Sequence, residues 1–280
     1  MESGRHRVKR AHGEGGISKW KSIGFHLETG FPPRLMQTRG FRASLSDGDV
    51  DDQLTALERI YHFFQTHTGF LSLACNTGCS TCCTRNVIMT TLEGRYLLET
   101  LPEKSHERLL FQIRSRSDQN RFIPKVTTNR LAELYLEKKE LEEPENDPNW
   151  GKCPLLEDSR CTVYGVRPFM CRAIMSHASC FINGYASIDP YAITLGAVCL
   201  QYIEQIDSNG FSGNLTDILL YLFESKDASF ASGTHFQEHF HDTLIPNRPI
   251  PILMVMPEHR DRIESAIREL RGQLGGRKDY

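Results

Sequence analysis

Two stretches of the chain decide its fold: residues 75–83 read CNTGCSTCC, and residues 153–172 read CPLLEDSRCTVYGVRPFMCR. They hold most of the chain's cysteines, at Cys75, Cys79, Cys82, Cys83, Cys153, Cys161 and Cys171. Thiols at such short spacing are the usual way for a folded chain to build a metal site, because each thiolate needs partners within reach of the same ion. The sequence therefore predicts a metal-binding protein whose two cysteine segments meet around shared inorganic atoms.

The spacing within the first segment leaves the number of metal centres open. Two or three residues between thiols let a tight loop aim both sulfurs at one ion or cluster, and Gly78 allows a left-handed turn there. Cys82 and Cys83 are adjacent, however, and neighbouring side chains tend to diverge. One of them can ligate while the other faces a second ion, a second iron or a reactive pocket.

Disulfide bonding and radical chemistry account for the thiols less well. A disulfide framework is typical of small secreted domains, whereas this chain is long and begins without a secretory signal. The Cys75-x3-Cys79-x2-Cys82 spacing is also that of radical S-adenosylmethionine enzymes. Those enzymes usually place an aromatic residue where this chain has Thr81, and they need a long alternation of strands and helices that the sequence does not predict.

The order of these residues resembles the YkgJ-type cysteine-cluster family, which is described as chelating zinc or iron. The family pattern is C-x2-3-C-x2-C-C, then C-P-F-L, then C-x-I-Y-x-x-R-P-x-x-C-R, and the resemblance covers residues 70–175. Leu155 and Val163 replace the family's Phe and Ile. The remaining motif positions match at Cys75, Cys79, Cys82, Cys83, Cys153, Cys161, Tyr164, Arg167, Pro168, Cys171 and Arg172.

The resemblance also reaches, more distantly, the flagellin lysine methylases, which are longer chains. It implies a protein-lysine N-methyltransferase-like enzyme as an alternative function. The sequence contains no methyl-donor site that would support it. It also lacks the glycine-rich dinucleotide fingerprint, the phosphate-binding loop and the GxSxG elbow, so no catalytic residue can be named.

Both an iron–sulfur cluster and a structural zinc ion accept a shell of thiolates. Three features favour the cluster: more thiols than one zinc ion needs, the close run of three cysteines, and the Cys153-Pro154 dipeptide, which is typical of bacterial ferredoxin ligands. We expect a redox or partner-modifying role for such a centre. The predicted metal ligands are Cys75, Cys79, Cys82, Cys83, Cys153, Cys161, Cys171 and Cys180.

Charge balance predicts which side chains surround the sulfurs. Four thiolates around Zn²⁺, or around a four-iron core, leave a net charge of about −2, which is costly to bury without cations or donors. Arg167 and Arg172 flank Cys171 and are expected to offset it. The family pattern adds Tyr164 to this group. His177 is an extra candidate ligand, whereas Cys199, within an apolar run, is expected to be an inert buried thiol.

Composition indicates the class of protein. With 280 residues and 39% hydrophobic content, the chain can bury a sizeable core. Its longest apolar runs are too short to span a bilayer, and reduced cysteines without an export signal predict a cytoplasmic protein with no membrane contact. The expected partner or substrate is an unidentified protein. A nucleic acid partner is not expected, because the basic N-terminal stretch reads as a disordered tail.

Periodicity predicts a mainly α fold in which helices brace two cysteine-rich loops, with little β structure. The domain prediction is a basic, disordered tail at 1–46, a metal-binding domain at 47–210, and a C-terminal helical extension at 211–280 packed on the same domain. The predicted helices begin at Val50, Thr91, Ser105, Thr127, Pro190, Leu215 and Pro257, and the best strand candidate is Pro249–Met256. His235, His239 and His241 are read as surface residues.

Overall fold

The structure is a computed structural model, and it describes residues 34–36, 50–76, 78–139, 145–226 and 240–275. The described chain is mainly helical, which confirms the predicted fold class. Its α-helices are α1 (Val50–Thr68), α2 (Thr91–Thr100), α3 (His106–Arg114), α4 (Thr128–Leu136), α5 (Phe169–Ala173), α6 (Cys180–Asn183), α7 (Pro190–Ile206), α8 (Leu215–Lys226) and α9 (Arg260–Gln273).

The strands are short, and every pair among the described residues is antiparallel. They are β1 (Arg34–Met36), β2 (Ile88–Thr90), β3 (Leu156–Glu157), β4 (Arg160–Cys161), β5 (Phe211–Asn214), β6 (Leu244–Pro246) and β7 (Leu253–Val255). β5 lies between β2 and β6, β1 pairs with β7, and β3 and β4 form a hairpin. This arrangement is not the parallel strand–helix alternation that a radical S-adenosylmethionine enzyme requires.

Side chains fix the helix starts where the sequence predicts them. At α2 the Thr90 hydroxyl accepts the Glu93 N–H while the Glu93 carboxylate accepts the Thr90 N–H, a complete capping box. At α7 the Asp189 carboxylate accepts the Tyr191 N–H, and Pro190 is the first helical residue. These two predicted starts are therefore confirmed.

The helix predicted to begin at Thr127 is α4, which is short. It ends at Leu136, and Lys138 adopts a left-handed φ of 54°. That conformation cannot continue a right-handed helix, so the chain turns at the end of α4. Residues 140–144 lie outside the described ranges, as do His235 and His239.

The first core forms where α1, α9 and β7 surround α7. Leu57, Phe64, Leu195, Tyr202 and Leu270 are almost fully buried there. Because α7 is buried on nearly every side, it is the central helix of the molecule. Cys199 lies on α7 inside this core, as expected of an inert thiol.

The second core forms between α2, α3 and α8, with β2 beneath them. Leu97, Ile113 and Ile218 are fully buried in it. Leu155 and Val163, from the second cysteine segment, belong to the same cluster. The second cysteine segment is therefore fixed on a packed apolar surface rather than on a free loop.

Buried polar side chains at the end of α7 tie distant segments to it. Gln201 donates to the Ile252 carbonyl and accepts the Met254 N–H. Glu204 accepts the backbone N–H groups of Asn129 and Arg248, and burial raises its pKa to about 7. Asp207 accepts the Leu92 N–H and the Thr91 hydroxyl. One helix thus anchors α4, β7 and the start of α2.

Described segments on either side of position 210 pack together. Residues from both sides of position 210 contribute to each of the two cores. Of the predicted tail 1–46, the described part is Arg34–Met36, whose backbone pairs with Leu253–Val255; the rest lies outside the described residues. Among the described helices, none combines the length and apolar character needed to cross a bilayer.

Candidate metal centre

The start of the first cysteine loop is hydrogen-bonded to Ser176, which lies in the segment after α5. The Ala74 N–H donates to the Ser176 carbonyl at 2.8 Å, and the Ser176 N–H donates to the Cys75 sulfur at 3.2 Å. Gly78 has a φ of +97°, which a residue with a side chain rarely adopts, so the predicted left-handed turn is present. The loop then turns back through Cys79, whose N–H donates to the Asn76 carbonyl.

The other end of that loop lies on the second cysteine segment. The Cys153 N–H donates to the Cys83 carbonyl at 2.9 Å, and Thr84 forms an antiparallel bridge with Lys152. The Arg85 N–H donates to the Gly151 carbonyl at 3.2 Å. The two groups of cysteines that the sequence separates by about seventy residues therefore adjoin at Cys83 and Cys153.

Cys161 is positioned by the β3–β4 hairpin. Leu156 pairs with Cys161, and the turn between the strands uses left-handed φ angles at Asp158 and Ser159. The Leu155 N–H lies against the Cys153 sulfur, and the Val163 N–H lies against the Cys161 sulfur. Backbone donors two residues ahead stabilise a thiolate, so these two N–H groups partly oppose the rise in pKa that burial causes at both sulfurs.

Cys171 is carried by α5, which starts after Pro168. The Arg172 guanidinium donates to the carbonyls of Arg167 and Gly165 and lies 4.3 Å from the Tyr61 ring centroid. Arg172 therefore holds the turn that carries Cys171. The Arg167 guanidinium donates to the Tyr164 carbonyl and lies 4.0 Å from that ring's centroid, so Tyr164 positions Arg167.

Burial makes the thiols weak acids. It raises the pKa of Cys153 to about 12, and it raises the pKa of Cys171 well above its usual value. Cys83 differs: the Cys82 thiol donates to its sulfur, and Lys152 and Arg167 lie nearby, so its pKa falls to about 7. Four thiolates can coexist here only if a cation accompanies them.

Two cations near the sulfurs were missed by the sequence reasoning. Lys152 precedes Cys153 directly and lowers the pKa of Cys83, while Arg85 follows Cys83 by two residues and opposes the rise in the pKa of Cys153. The signal was the one that singled out Arg167 and Arg172, a basic residue flanking a cysteine group. It was applied only to the residues around Cys171.

Arg85 is a buried cation beside the cysteines. Its side chain is buried, and its Nε has no hydrogen-bond partner in the part of the chain that the structure describes. Among the residues that the structure describes, no carboxylate lies within ion-pairing distance of it. An alanine Cβ at Gly151 would lie 2.8 Å from that Nε, so the chain passes directly over the guanidinium. A buried, unpaired cation is costly, and a negatively charged metal–thiolate centre would offset it.

The remaining predicted ligands have distinct surroundings. Cys82 contacts the Cys83 sulfur, and Cys180 is buried at the start of α6. Cys79 is exposed. His177 is engaged elsewhere, because its Nε2 lies 3.0 Å from the Ser187 hydroxyl. His241 is exposed beside Asp242, as a surface residue should be.

The donor set fits zinc or iron, but the side chains are not arranged as a closed shell. Within the described ranges, no three His, Cys, Asp or Glu side chains are spaced to hold an ion as they stand. The backbone bond between Cys153 and Cys83 brings the two cysteine segments together. Soft thiolates with nearby cations suit both candidate metals.

Comparison with known families agrees with this donor set. Residues 74–188 match the CxxCxxCC family model, whose description reads "putative zinc- or iron-chelating domain". This segment is similar to cysteine-cluster domains of the zinc- or iron-chelating type. The matched range includes Cys180 and excludes Cys199, which agrees with the separation between the candidate ligands and the core thiol. Searches of curated proteins and of solved structures gave no significant match.

Proposed function

We propose that this protein binds an iron–sulfur cluster through the cysteines of its two segments. The observation that carries the proposal is the backbone bond between Cys83 and Cys153, which brings the segments together beside Cys161 and Cys171. The match to a zinc- or iron-chelating domain supports a metal of one of these two kinds.

Charge and burial support the cluster over a bare structural role for the thiols. The cysteines of the second segment pack against the second core, which limits access of water. Lys152, Arg167 and the unpaired Arg85 surround them. A cluster with four thiolates carries net negative charge, and its potential depends on such neighbouring cations and on hydrogen bonds to sulfur.

The chemistry that a cluster supplies when bound is the transfer of single electrons. The residues of the chain hold and tune it: the Leu155 and Val163 N–H groups donate to Cys153 and Cys161, and Arg167 lies beside Cys161 and Cys171. We propose a redox role, or a role in modifying a protein partner, for this centre. Cytoplasmic protein with reduced thiols is the setting in which it would operate.

Anaerobic purification tests the proposal. We expect brown protein with visible sulfur-to-iron absorption, containing both iron and acid-labile sulfide. Cys153→Ser should lose the colour, whereas Cys199→Ala, which alters a thiol in the first core, should keep it. Colourless protein that contains zinc and no sulfide would overturn the iron–sulfur assignment in favour of structural zinc.

A further inference from the structure

A short loop after α5 is closed at its base by hydrogen bonds between its two ends. The His177 N–H donates to the Ser187 carbonyl at 3.0 Å, and the Ser187 N–H donates to the Ser176 hydroxyl at 2.9 Å. The His177 Nε2 and the Ser187 hydroxyl are also 3.0 Å apart. Compact surface loops whose ends meet in this way frequently carry function. We name residues 178–186 the projecting loop.

The tip of the projecting loop is apolar and exposed. Its helix α6 begins at Cys180, which is buried, whereas Phe181 is 88% exposed and Ile182 is 80% exposed. Among the large apolar side chains that the structure describes, these two have the highest exposed fractions. Tyr185 is exposed on the same loop. Contact with a partner would remove this apolar surface from water, so the tip favours binding.

A cavity lies at the base of the projecting loop. Its volume is about 260 Å³, and its walls are formed by Leu71, Ser72, Leu73, Met175, His177 and Asp189. His177 and Asp189 flank the loop in sequence, one on each side, so the loop and the cavity belong to one face of the molecule. Leu71, Leu73 and Met175 make much of the wall apolar, so the cavity can accept an apolar side chain.

Further apolar side chains surround the cavity. Phe70 is exposed, and its ring centroid lies 6.2 Å from that of Tyr191 on the first turn of α7. Ile193 is exposed one turn after Asp189, whose carbonyl accepts its N–H. With Leu73 and the loop tip, these side chains expose roughly 700 Å², close to the ~800 Å² that each partner buries in a standard protein interface. The face is therefore large enough for a stable complex with another protein.

The charge of the projecting loop favours a second copy of this chain as that partner. Residues 178–188 contain no Asp, Glu, Lys or Arg. In a two-fold symmetric interface, a segment near the axis meets its own copy, so a charged side chain there would face a like charge. An uncharged tip meets itself without that repulsion. A partner recognised by charge would find no charged group on this loop.

We infer that the chain forms a two-fold symmetric dimer through this face, in which Phe181 of each copy enters the cavity of the other. An isologous interface uses the same surface twice and must be complementary to itself. The exposed tip and the neighbouring cavity supply the two halves of such a contact. Ile182 packs on the apolar surface around the cavity. The inference does not depend on the metal.

Sedimentation equilibrium of the full chain tests the inference, and we expect a dimer at micromolar concentration. Phe181→Ser should weaken dimerisation by about 100-fold or more, because aromatic anchors dominate interfaces and the symmetry removes this contact twice. Phe111→Ser is the matched control, since Phe111 is exposed on α3, which packs against α8. It should leave the dimer unchanged. Circular dichroism checks that each variant keeps its helices.

Mixing two variants tests the reciprocal insertion. Leu73→Arg blocks the cavity and should also give a monomer. In a mixture with Phe181→Ser, the intact tip of one chain can enter the intact cavity of the other, which restores one of the two contacts. We expect a heterodimer that is weaker than the unaltered dimer, and a mixture without heterodimer would overturn the insertion.

Two further results would overturn the dimer itself. One is unaltered protein that stays monomeric at high micromolar concentration, including monomer that binds phosphatidylcholine vesicles through Phe181, which would make a lipid surface the occupant. The other is a dimer that Phe181→Ser and Leu73→Arg leave intact, which would place the interface on a different face.

Discussion

Arg85 is a single buried side chain whose surroundings favour a negatively charged group nearby. Among the described residues its Nε has no hydrogen-bond partner, and its Nη1 donates to the Arg116 carbonyl at 3.2 Å. Burial, and after it the charge of Arg116, lowers the pKa of Arg85, although Cys153 and the Asp118 carboxylate oppose the shift. Beside a centre carrying about −2, the same guanidinium would stabilise the bound state. Arg85 should therefore have opposite effects on the metal-free and metal-bound protein.

Arg85→Met tests that reversal. Removing the unpaired charge should leave metal-free protein unchanged or more stable by about 1 kcal/mol, while metal should dissociate more readily. Urea unfolding with and without chelator measures the first effect, and the rate of metal loss to a chelator measures the second. Arg160→Met, an exposed arginine beside Cys161, is the control. Equal destabilisation of both forms would show that Arg85 acts only through packing.

Glu93 connects two helices that position the site. Its Oε1 accepts the Tyr61 hydroxyl at 3.0 Å and the Phe169 N–H at 2.7 Å, and its Oε2 accepts the Thr90 N–H. The carboxylate therefore caps α2 and holds the first residue of α5, two residues before Cys171. Burial raises the pKa of Glu93, and the three hydrogen bonds to its carboxylate oppose that rise.

Glu93→Gln should destabilise the protein by about 1–3 kcal/mol, because one amide nitrogen would face a donor that needs an acceptor. It should also speed metal loss, since α5 loses the anchor of Phe169. Thermal unfolding and chelator release measure the two effects. Glu99→Gln, on the exposed side of α2, should change neither. Unchanged metal release in a destabilised Glu93→Gln protein would mean that α5 is held by other contacts.

The helices were more predictable than the site because their signals are local. Asp189-Pro190 and Thr90-x-x-Glu93 mark helix starts within a few residues, and the structure has both. The bonds from Ser176 to Cys75 and from Cys153 to Cys83 join residues far apart in sequence, and no periodicity encodes them. The cysteine spacing predicted that the segments meet. It did not predict which thiols become neighbours.

At the scale of the whole molecule, distant segments meet at the end of α7, where two buried carboxylates accept hydrogen bonds from their backbone N–H groups. Burial raises the pKa of Glu204 to about 7 and that of Asp207 to about 6. Their donors, including Asn129, Arg248 and Leu92, come from α4, the segment before β7 and the start of α2. A change of charge here therefore affects the global stability of the fold.

The sign of the pH effect follows from the direction of these shifts. Both carboxyls bind protons more tightly in the folded chain than in the unfolded chain, where their pKa values are near 4. Their contribution to stability is complete below that pH and is lost as the pH rises through about 6 for Asp207 and about 7 for Glu204. Each pKa unit of elevation corresponds to about 1.4 kcal/mol.

Glu204→Gln isolates one of these titrations. The variant should be less stable than the unaltered protein at pH 5, because the amide nitrogen replaces an acceptor of a backbone N–H. The difference in free energy of unfolding between the two proteins should become smaller by pH 8, as Glu204 ionises in the unaltered protein. Thr127 and Arg248 face the carboxyl and are unchanged in the variant. Urea unfolding at both pH values measures the gap, and metal affinity, which rises with pH as thiols deprotonate, cancels in the comparison. Glu264→Gln, near Arg260 on the surface of α9, is the control. If the difference in free energy of unfolding between the two proteins stays constant from pH 5 to pH 8, Glu204 does not titrate in this range. The positive charge of Arg248 would then offset the cost of burying the Glu204 carboxylate.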